Sequence, residues 1–207
     1  MIKEELYEEL EKEGINFEII EAIKKVDRKD FVPPTLKESA YENAPLPIGH
    51  GQTISQPYIV ALMLQKLELK KGEKVLEIGT GSGWNAALIS KLVGKNGEVY
   101  TIERIKELYE EAKKRLLTFK NVQLFYGDGS KGLREYAPFD KIIITAAISE
   151  IPLEIKEQLK EGGMIIAPVG STQIQKLVRL KKIKKGYIEE SICDVVFVPL
   201  IKNEEQK

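Results

Sequence analysis

The sequence predicts an α/β chain: a doubly wound, mostly parallel sheet flanked by helices, with a helical extension in front. Three observations predict it. Short apolar, β-branched runs at 74–78, 99–102, 122–126 and 139–145 alternate with helical patterns, as parallel strands joined by crossover helices do. Glycines, acids or a threonine gather where these strands end, at 79–83, Glu103, 127–129 and Thr145-Ala146, and ligands of open α/β sheets collect at such carboxyl ends. Strand-like runs at 164–169, 176–182 and 192–199 then follow one another with turns between them, an antiparallel-looking margin. At 207 residues with 43% hydrophobic content the chain suits one domain over 1–207, divided into an extension and covering loop at 1–56 and a core at 57–207.

Residues 2–13 read as a charged amphipathic helix with Leu6 and Leu10 on its inner side and Gly14 as its stop. In the next helix Asn16 can cap, Ile19, Ile23 and Val26 recur at helical spacing, and Pro33-Pro34 closes the segment. From 44 to 57 runs Ala-Pro-Leu-Pro-Ile-Gly-His-Gly-Gln-Thr-Ile-Ser-Gln-Pro, aperiodic and weakly charged, which reads as a functional loop. It enters a helix at 57–68 whose buried stripe is Val60, Met63, Leu64 and Leu67, with Ser55 or Gln56 at the cap. Helices follow at 84–93 and 105–119, and another at 152–160 is stopped by Gly162-Gly163. The basic run Lys181-Lys182-Ile183-Lys184-Lys185 before Gly186 reads as a solvated turn between two strands.

The centre of the pattern is Val75-Leu76-Glu77-Ile78-Gly79-Thr80-Gly81-Ser82-Gly83-Trp84, a strand, a glycine turn and the start of a helix. Alternate glycines tolerate backbone angles closed to other residues and let a ligand lie against the main chain. The dinucleotide fingerprint needs a third glycine where Trp84 stands, and a P-loop needs a Lys-Ser or Lys-Thr pair that is missing after these glycines. Glu103, about twenty residues past the turn, is placed to accept hydrogen bonds from both ribose hydroxyls of an adenosine-containing ligand.

Lys plus Arg and Asp plus Glu number 32 each, so no overall field draws the chain to nucleic acid or to a membrane surface. One cysteine, Cys193, cannot form an internal disulfide and lies in an apolar strand pattern as a small core residue. The sequence shows no signal peptide and no apolar run of spanning length, which points to the cytoplasm.

The run Gln52-Thr53-Ile54-Ser55-Gln56-Pro57, together with 44–49, the acidic G-x-G-x-G turn, Gly127-Asp128-Gly129, Pro138-Phe139-Asp140, Pro168-Val169-Gly170 and Phe197-Val198-Pro199-Leu200, resembles the protein-L-isoaspartate (D-aspartate) O-methyltransferases along nearly the whole chain. The resemblance implies a Rossmann-like S-adenosylmethionine-dependent methyltransferase sheet with an N-terminal helical extension, S-adenosyl-L-methionine as cofactor, no metal, and methylation of the free carboxylate of isoaspartyl residues in damaged proteins. It implies a monomer with no nucleic-acid or membrane partner. It further implies Ser55 as the active-site residue, Gly79 and Gly81 at the methionine part of the cofactor, Glu103 at the ribose and Asp128-Gly129 at the adenine. Thr53, Ile54, Gln56, Glu77 and Arg104 complete the implied cofactor set. Position alone leaves Ser55 open between a helix cap and a functional hydroxyl. His50 departs from the family pattern and is not assigned as a base. The fourth strand ends in Thr145-Ala146-Ala147, unlike amino-group methyltransferases, which argues against amide acceptors. A methyltransferase acting on RNA or a small molecule would predict a basic face or an acceptor motif that the sequence does not show. A non-catalytic nucleotide-binding module would have no use for Ser55 in a loop crossing the cofactor site.

Overall fold

A computed structural model of the chain describes residues 2–201; Met1 and 202–207, the two ends of the expected 1–207 domain, lie outside the described residues. Helices α1 (Lys3–Lys12) and α2 (Phe17–Lys25) come first, and two short 3₁₀ turns carry the chain to a two-stranded ribbon, β1 (Leu46–Gly49) and β2 (Gln52–Ile54). Then α3 (Pro57–Leu67) leads into β3 (Lys74–Ile78), α4 (Trp84–Val93), β4 (Glu98–Glu103), α5 (Lys106–Leu116) and β5 (Val122–Tyr126). The remaining elements are β6 (Phe139–Ile144), α6 (Leu153–Glu157), β7 (Leu159–Gly170), β8 (Gln175–Ile183) and β9 (Gly186–Val195).

The main sheet runs in the order β5-β4-β3-β6-β7-β8-β9. Pairing is parallel from β5 to β7 and antiparallel from β7 to β9, as the alternating and then consecutive strand patterns predict. Connections lead outward in opposite directions from β3 and β6, so the crevice between these two strands is the topological switch point of the sheet. Their register sets Ile78 opposite Ile144, which brings the glycine turn after β3 beside Thr145 after β6.

Because side chains alternate along a strand, β3 divides its residues between two cores. Val75 joins one buried cluster with Leu6, Leu10, Ile19, Ile23, Val60, Met63 and Leu88, whereas Leu76 and Ile78 join the other with Ile102, Ile144 and Ile155. The first cluster draws from α1, α2, α3 and α4 together, so the helical extension packs into the same apolar layer as the crossover helices.

Four expectations are corrected. The aperiodic stretch 44–57 contains the β1–β2 ribbon, which the sequence hides because Gly49, His50 and Gly51 all take positive φ (92°, 52° and 70°) at a bulged turn. The helix expected at 152–160 ends at Glu157, and Gly162-Gly163 stands inside β7 and not at a helix stop. A Cβ at Gly163 would lie 2.7 Å from the Asp140 carbonyl oxygen, so this glycine marks a close approach to β6 at a register shift, while Gly162 takes a positive φ of 78° beside it. The strand expected at 192–199 is β9, ten residues from Gly186 to Val195; its exposed residues, Glu189 and Glu190 among them, face water and carry no apolar period. Cys193 is partly buried against the first cluster and not enclosed within it. The basic run stands at the β8–β9 turn, as its composition suggests, with Gly186 at φ 99°.

Candidate functional site

A cleft of about 970 Å³ opens at the carboxyl ends of β3 and β4. The glycine turn forms its floor, with Gly79, Gly81 and Gly83 at φ 97°, 53° and 88°. Thr145 locks that turn: its backbone N–H donates to the Ile78 carbonyl (3.0 Å) and its Oγ1 donates to the carbonyls of Ile78 (3.0 Å) and Gly79 (2.5 Å). A Cβ at Gly79 would collide with Thr145 Oγ1, so the turn cannot be built with any other residue there. The β1–β2 ribbon forms one wall through Gln52, Thr53 and Ile54, followed by Ser55, and Val198 to Ile201 bound the other side.

Glu103, at the end of β4, is buried on the cleft wall. Its Oε2 accepts from the Gly81 N–H (2.8 Å) and its Oε1 from the Ile105 N–H (2.9 Å). Two main-chain donors thus fix the carboxylate and leave it further acceptor capacity toward the cleft. Arg104 lines the cleft beside it. Gly129 enters where a Cβ would press on Ile102 (2.7 Å) and Ile78 (2.8 Å), and so completes a thin apolar slot. Asp128 is not on the lining: its carboxylate accepts from the Ser130 N–H (2.8 Å) and caps the short turn Gly129–Lys131.

Glu77 is fully buried beneath the turn and not on the lining. Register places it opposite Thr101, whose hydroxyl donates to Oε2, while Asn85 Nδ2 donates to Oε1 (2.7 Å). Burial pushes the Glu77 carboxyl up to about 7, the two donors and the nearby Glu103 charge acting as smaller influences. Asn85 lines the cleft, and its Oδ1 is buried with no partner among the described residues. An acceptor without a donor at a cleft wall is a place for a ligand N–H.

Taken together, a glycine cradle, a fixed carboxylate, an orphaned amide acceptor and an apolar slot suit S-adenosyl-L-methionine, whose amino-acid end, ribose and flat base need such surfaces. Sequence reasoning missed Asn85 because nothing local marks it; its role comes from Glu77 across the strand–helix packing. It also left out Trp84, Val60 and Met63, which line the cleft while serving as core residues.

Ser55 follows β2 and borders both this cleft and a second groove of about 920 Å³, which Pro45, Gln56, Ile59, Ile174 and residues 194–198 also line. Thr53, Thr145 and Val198 share that position between the two. The cap of α3 is Gln56, which makes no side-chain capping bond. Asn43 does that work from another segment, its Oδ1 accepting from the Tyr58 N–H (3.0 Å) while Glu9 Oε1 accepts from its Nδ2 (2.6 Å). The first-turn donor is satisfied without Ser55. His50 stands exposed at the ribbon tip and lines neither cavity.

Residues 1–205 match the family described as protein-L-isoaspartate(D-aspartate) O-methyltransferase. A protein-L-isoaspartate O-methyltransferase of Fervidobacterium nodosum is 53% identical over 197 residues, spanning 94% of this chain and 99% of the relative. One from Ignicoccus hospitalis is 49% identical over 207 residues, spanning 98% of both. Among solved structures, a protein-L-isoaspartate O-methyltransferase superposes with a TM-score of 0.89 at 32% identity, over 98% of this chain and 67% of the other. A Plasmodium falciparum protein described as a beta-aspartate methyltransferase, in complex with S-adenosyl-L-homocysteine, superposes at 0.86 with 30% identity, over 97% and 99%.

Proposed function

The chain belongs to the protein-L-isoaspartate(D-aspartate) O-methyltransferase family, and on that footing we propose how its residues divide the work. It is an S-adenosylmethionine-dependent protein carboxyl O-methyltransferase that methylates the free carboxylate of L-isoaspartyl residues in damaged proteins. The cofactor lies in the cleft, with Gly79 and Gly81 under its methionine part, Glu103 accepting from the ribose hydroxyls and Asp128-Gly129 at the adenine edge. Gly129 meets the base through its place in the slot, and Asp128 acts by shaping the turn that carries it. Thr53, Ile54 and Arg104 complete the surround on the cleft wall, Glu77 acts through Asn85, and Gln56, which lines the second groove and not the cleft, acts from behind the ribbon. The acceptor peptide lies in the second groove. One observation carries this reading: the Ser55 side of the ribbon separates a cleft suited to the cofactor from a groove open to a chain.

When bound, S-adenosyl-L-methionine supplies a methyl group made electrophilic by its sulfonium. The acceptor carboxylate, with an ordinary pKa near ~4, is already ionised at neutral pH, so no side chain is needed to remove a proton. That agrees with the absence of a His-Asp or Cys-His arrangement among the residues lining the two cavities. Holding the carboxylate in line with the methyl is a positioning effect of up to roughly 7–11 kcal/mol in ideal cases, and Ser55 contributes part of it by donating a hydrogen bond to one carboxylate oxygen and leaving the other aimed across the wall. The groove is lined largely by apolar side chains and holds a single charged residue, Asp194, so it reads the lengthened backbone of isoaspartate more than neighbouring side chains. The methyl ester leaves more readily than the acid; the adjacent amide nitrogen displaces methanol, a succinimide closes, and its hydrolysis returns some aspartate.

The same reading takes 1–207 as one domain, supported by the apolar layer that α1 and α2 share with α3 and α4. It takes the enzyme as a cytoplasmic monomer without nucleic-acid or membrane partners, in keeping with its balanced charge. Among the described residues no helix is long and apolar enough to cross a membrane. The test is Ser55→Asn beside Ser55→Ala on an isoaspartyl peptide. Both should lower kcat and kcat/KM together by roughly tenfold to a thousandfold, with S-adenosylhomocysteine affinity near the parent value. Parental turnover in Ser55→Asn at saturating cofactor would end the assignment.

A further inference from the structure

Arg28 is 2% exposed and has no carboxylate within salt-bridge distance among the described residues. The two terminal nitrogens of its guanidinium donate to the main chain alone, while the buried Nε has no partner among the described residues. Nη1 donates to the carbonyls of Ala40 (2.8 Å) and Glu42 (3.3 Å), and Nη2 to those of Ala44 (2.9 Å), Ser55 (3.1 Å) and Ile54 (3.5 Å). The guanidinium carbon sits 5.5 Å from the centre of the Trp84 ring, which lines the cofactor cleft, and Trp84 Nε1 donates to the Val26 carbonyl (3.0 Å) two residues before the arginine. Burial draws the group down to about 10, so it remains charged at neutral pH. A buried cation is costly unless many acceptors surround it. Here the acceptors are carbonyls at both ends of the segment that carries the ribbon and Ser55. An aliphatic side chain would fill the space more simply, so the guanidinium is suited to shaping that segment.

We propose that Arg28 is a positioning residue for methyl transfer, fixing the 40–55 segment against the Trp84 wall so that Ser55 meets the acceptor carboxylate already oriented. The proposal rests on the Ser55 reading above. A lysine cannot replace the arginine, because one ammonium cannot span carbonyls at both ends of the segment in the fork that a guanidinium provides. The segment is set by contacts within the protein, so its shape exists before either ligand arrives.

Two kinds of measurement test this, both well below the unfolding midpoint. In the unaltered protein without ligand, the hydrogen-bonded amides of β1 and β2 should exchange slowly, within about tenfold of those in β3; exchange at the rate of a free peptide would overturn the proposal whether or not any variant folds. In Arg28→Met and Arg28→Lys, ribbon amides should exchange at least tenfold faster while those of β3, β4 and β6 keep their protection, and kcat on isoaspartyl peptide should fall at least tenfold. A merely structural role would add to any other defect. A role through Ser55 makes the double variant Arg28→Met/Ser55→Ala only slightly slower than the slower single variant. Additive losses, or a folded Arg28→Met with kcat within twofold of the parent, would overturn it. If Ser55→Ala alone kept parental turnover, the Ser55 assignment would fall, and Arg28 would then be judged on ribbon exchange and its own kcat.

Discussion

A carboxyl group sealed between a helix and a sheet ionises reluctantly, and Glu77 is held in that position by Asn85 and Thr101. Its pKa rises from an ordinary 4.5 to about 7, so the folded protein binds a proton that the unfolded chain has lost above pH ~4.5. The stabilisation this gives is full below ~4.5 and disappears as pH climbs through about 7. Glu77→Gln has no such loss, so its stability relative to the parent should improve between pH 4.5 and 7.5 by on the order of 3 kcal/mol and then level off. Urea midpoints at several pH values measure this, and a difference independent of pH would refute it. At the same scale, the places of the glycine turn and Glu103 on the cleft were legible in sequence because spacing alone sets them at the ends of β3 and β4. Asp128 was legible only as a location: the carboxylate turns to the Ser130 amide, and no spacing rule forecasts which way a short side chain will bond. Ser55 came from the resemblance, and the structure adds why a cap is not its task, since Asn43 reaches the α3 amide first.

At the scale of elements, periodic helices were legible and irregular connections were not. Leu6, Leu10, Ile19, Ile23, Val60 and Leu64 all face inward as their spacing demands. The ribbon was invisible because three consecutive positive-φ residues and two prolines break any alternation, and β7 was shortened in the reading because paired glycines look like punctuation until a neighbouring strand explains them. Helix α1 has an anchor that sequence could not show: Asp27 accepts from Lys3 Nζ (2.8 Å), the Lys29 N–H (3.0 Å) and the Tyr41 hydroxyl (3.0 Å). Burial acts to raise Asp27, yet these donors together hold it below the usual carboxylate range. Its stabilising effect is therefore present above pH ~4 and lost as pH falls through the lower folded value. Asp27→Asn should cost about 1 kcal/mol at neutral pH, the modest figure fitting a partly exposed pair, and the difference should shrink below pH ~4. Thermal midpoints at pH 7 and pH 3 check it; an equal gap at both would show that the charge is irrelevant.

Across the whole molecule, the alternation of strands and helices made the carboxyl ends of the strands legible as the ligand side, while the strand order that puts the switch point between β3 and β6 comes from the fold. What closes the cleft is a different matter. Phe197 is tied down by its N–H to Gln175 Oε1 (2.8 Å), and beyond it the described residues meet the sheet at one bridge, with Ala147 N–H donating to the Val198 carbonyl and Leu200 N–H donating to the Ala147 carbonyl, each at 2.8 Å, and through Leu200 packed on the second cluster. Two bonds worth about 0.5–1.5 kcal/mol apiece and the packing of the half-buried Leu200 hold this strap, so it should open far more often than the core strands do. The Leu200 amide should then exchange with solvent far faster than amides of β3, and saturating S-adenosylhomocysteine should slow it at least tenfold; no change on adding ligand would place the entrance elsewhere. The residence time of spent cofactor would thus be set by a hinge at Phe197 and a single rung of sheet, and each turnover could shed its by-product without loosening the core that keeps the enzyme folded.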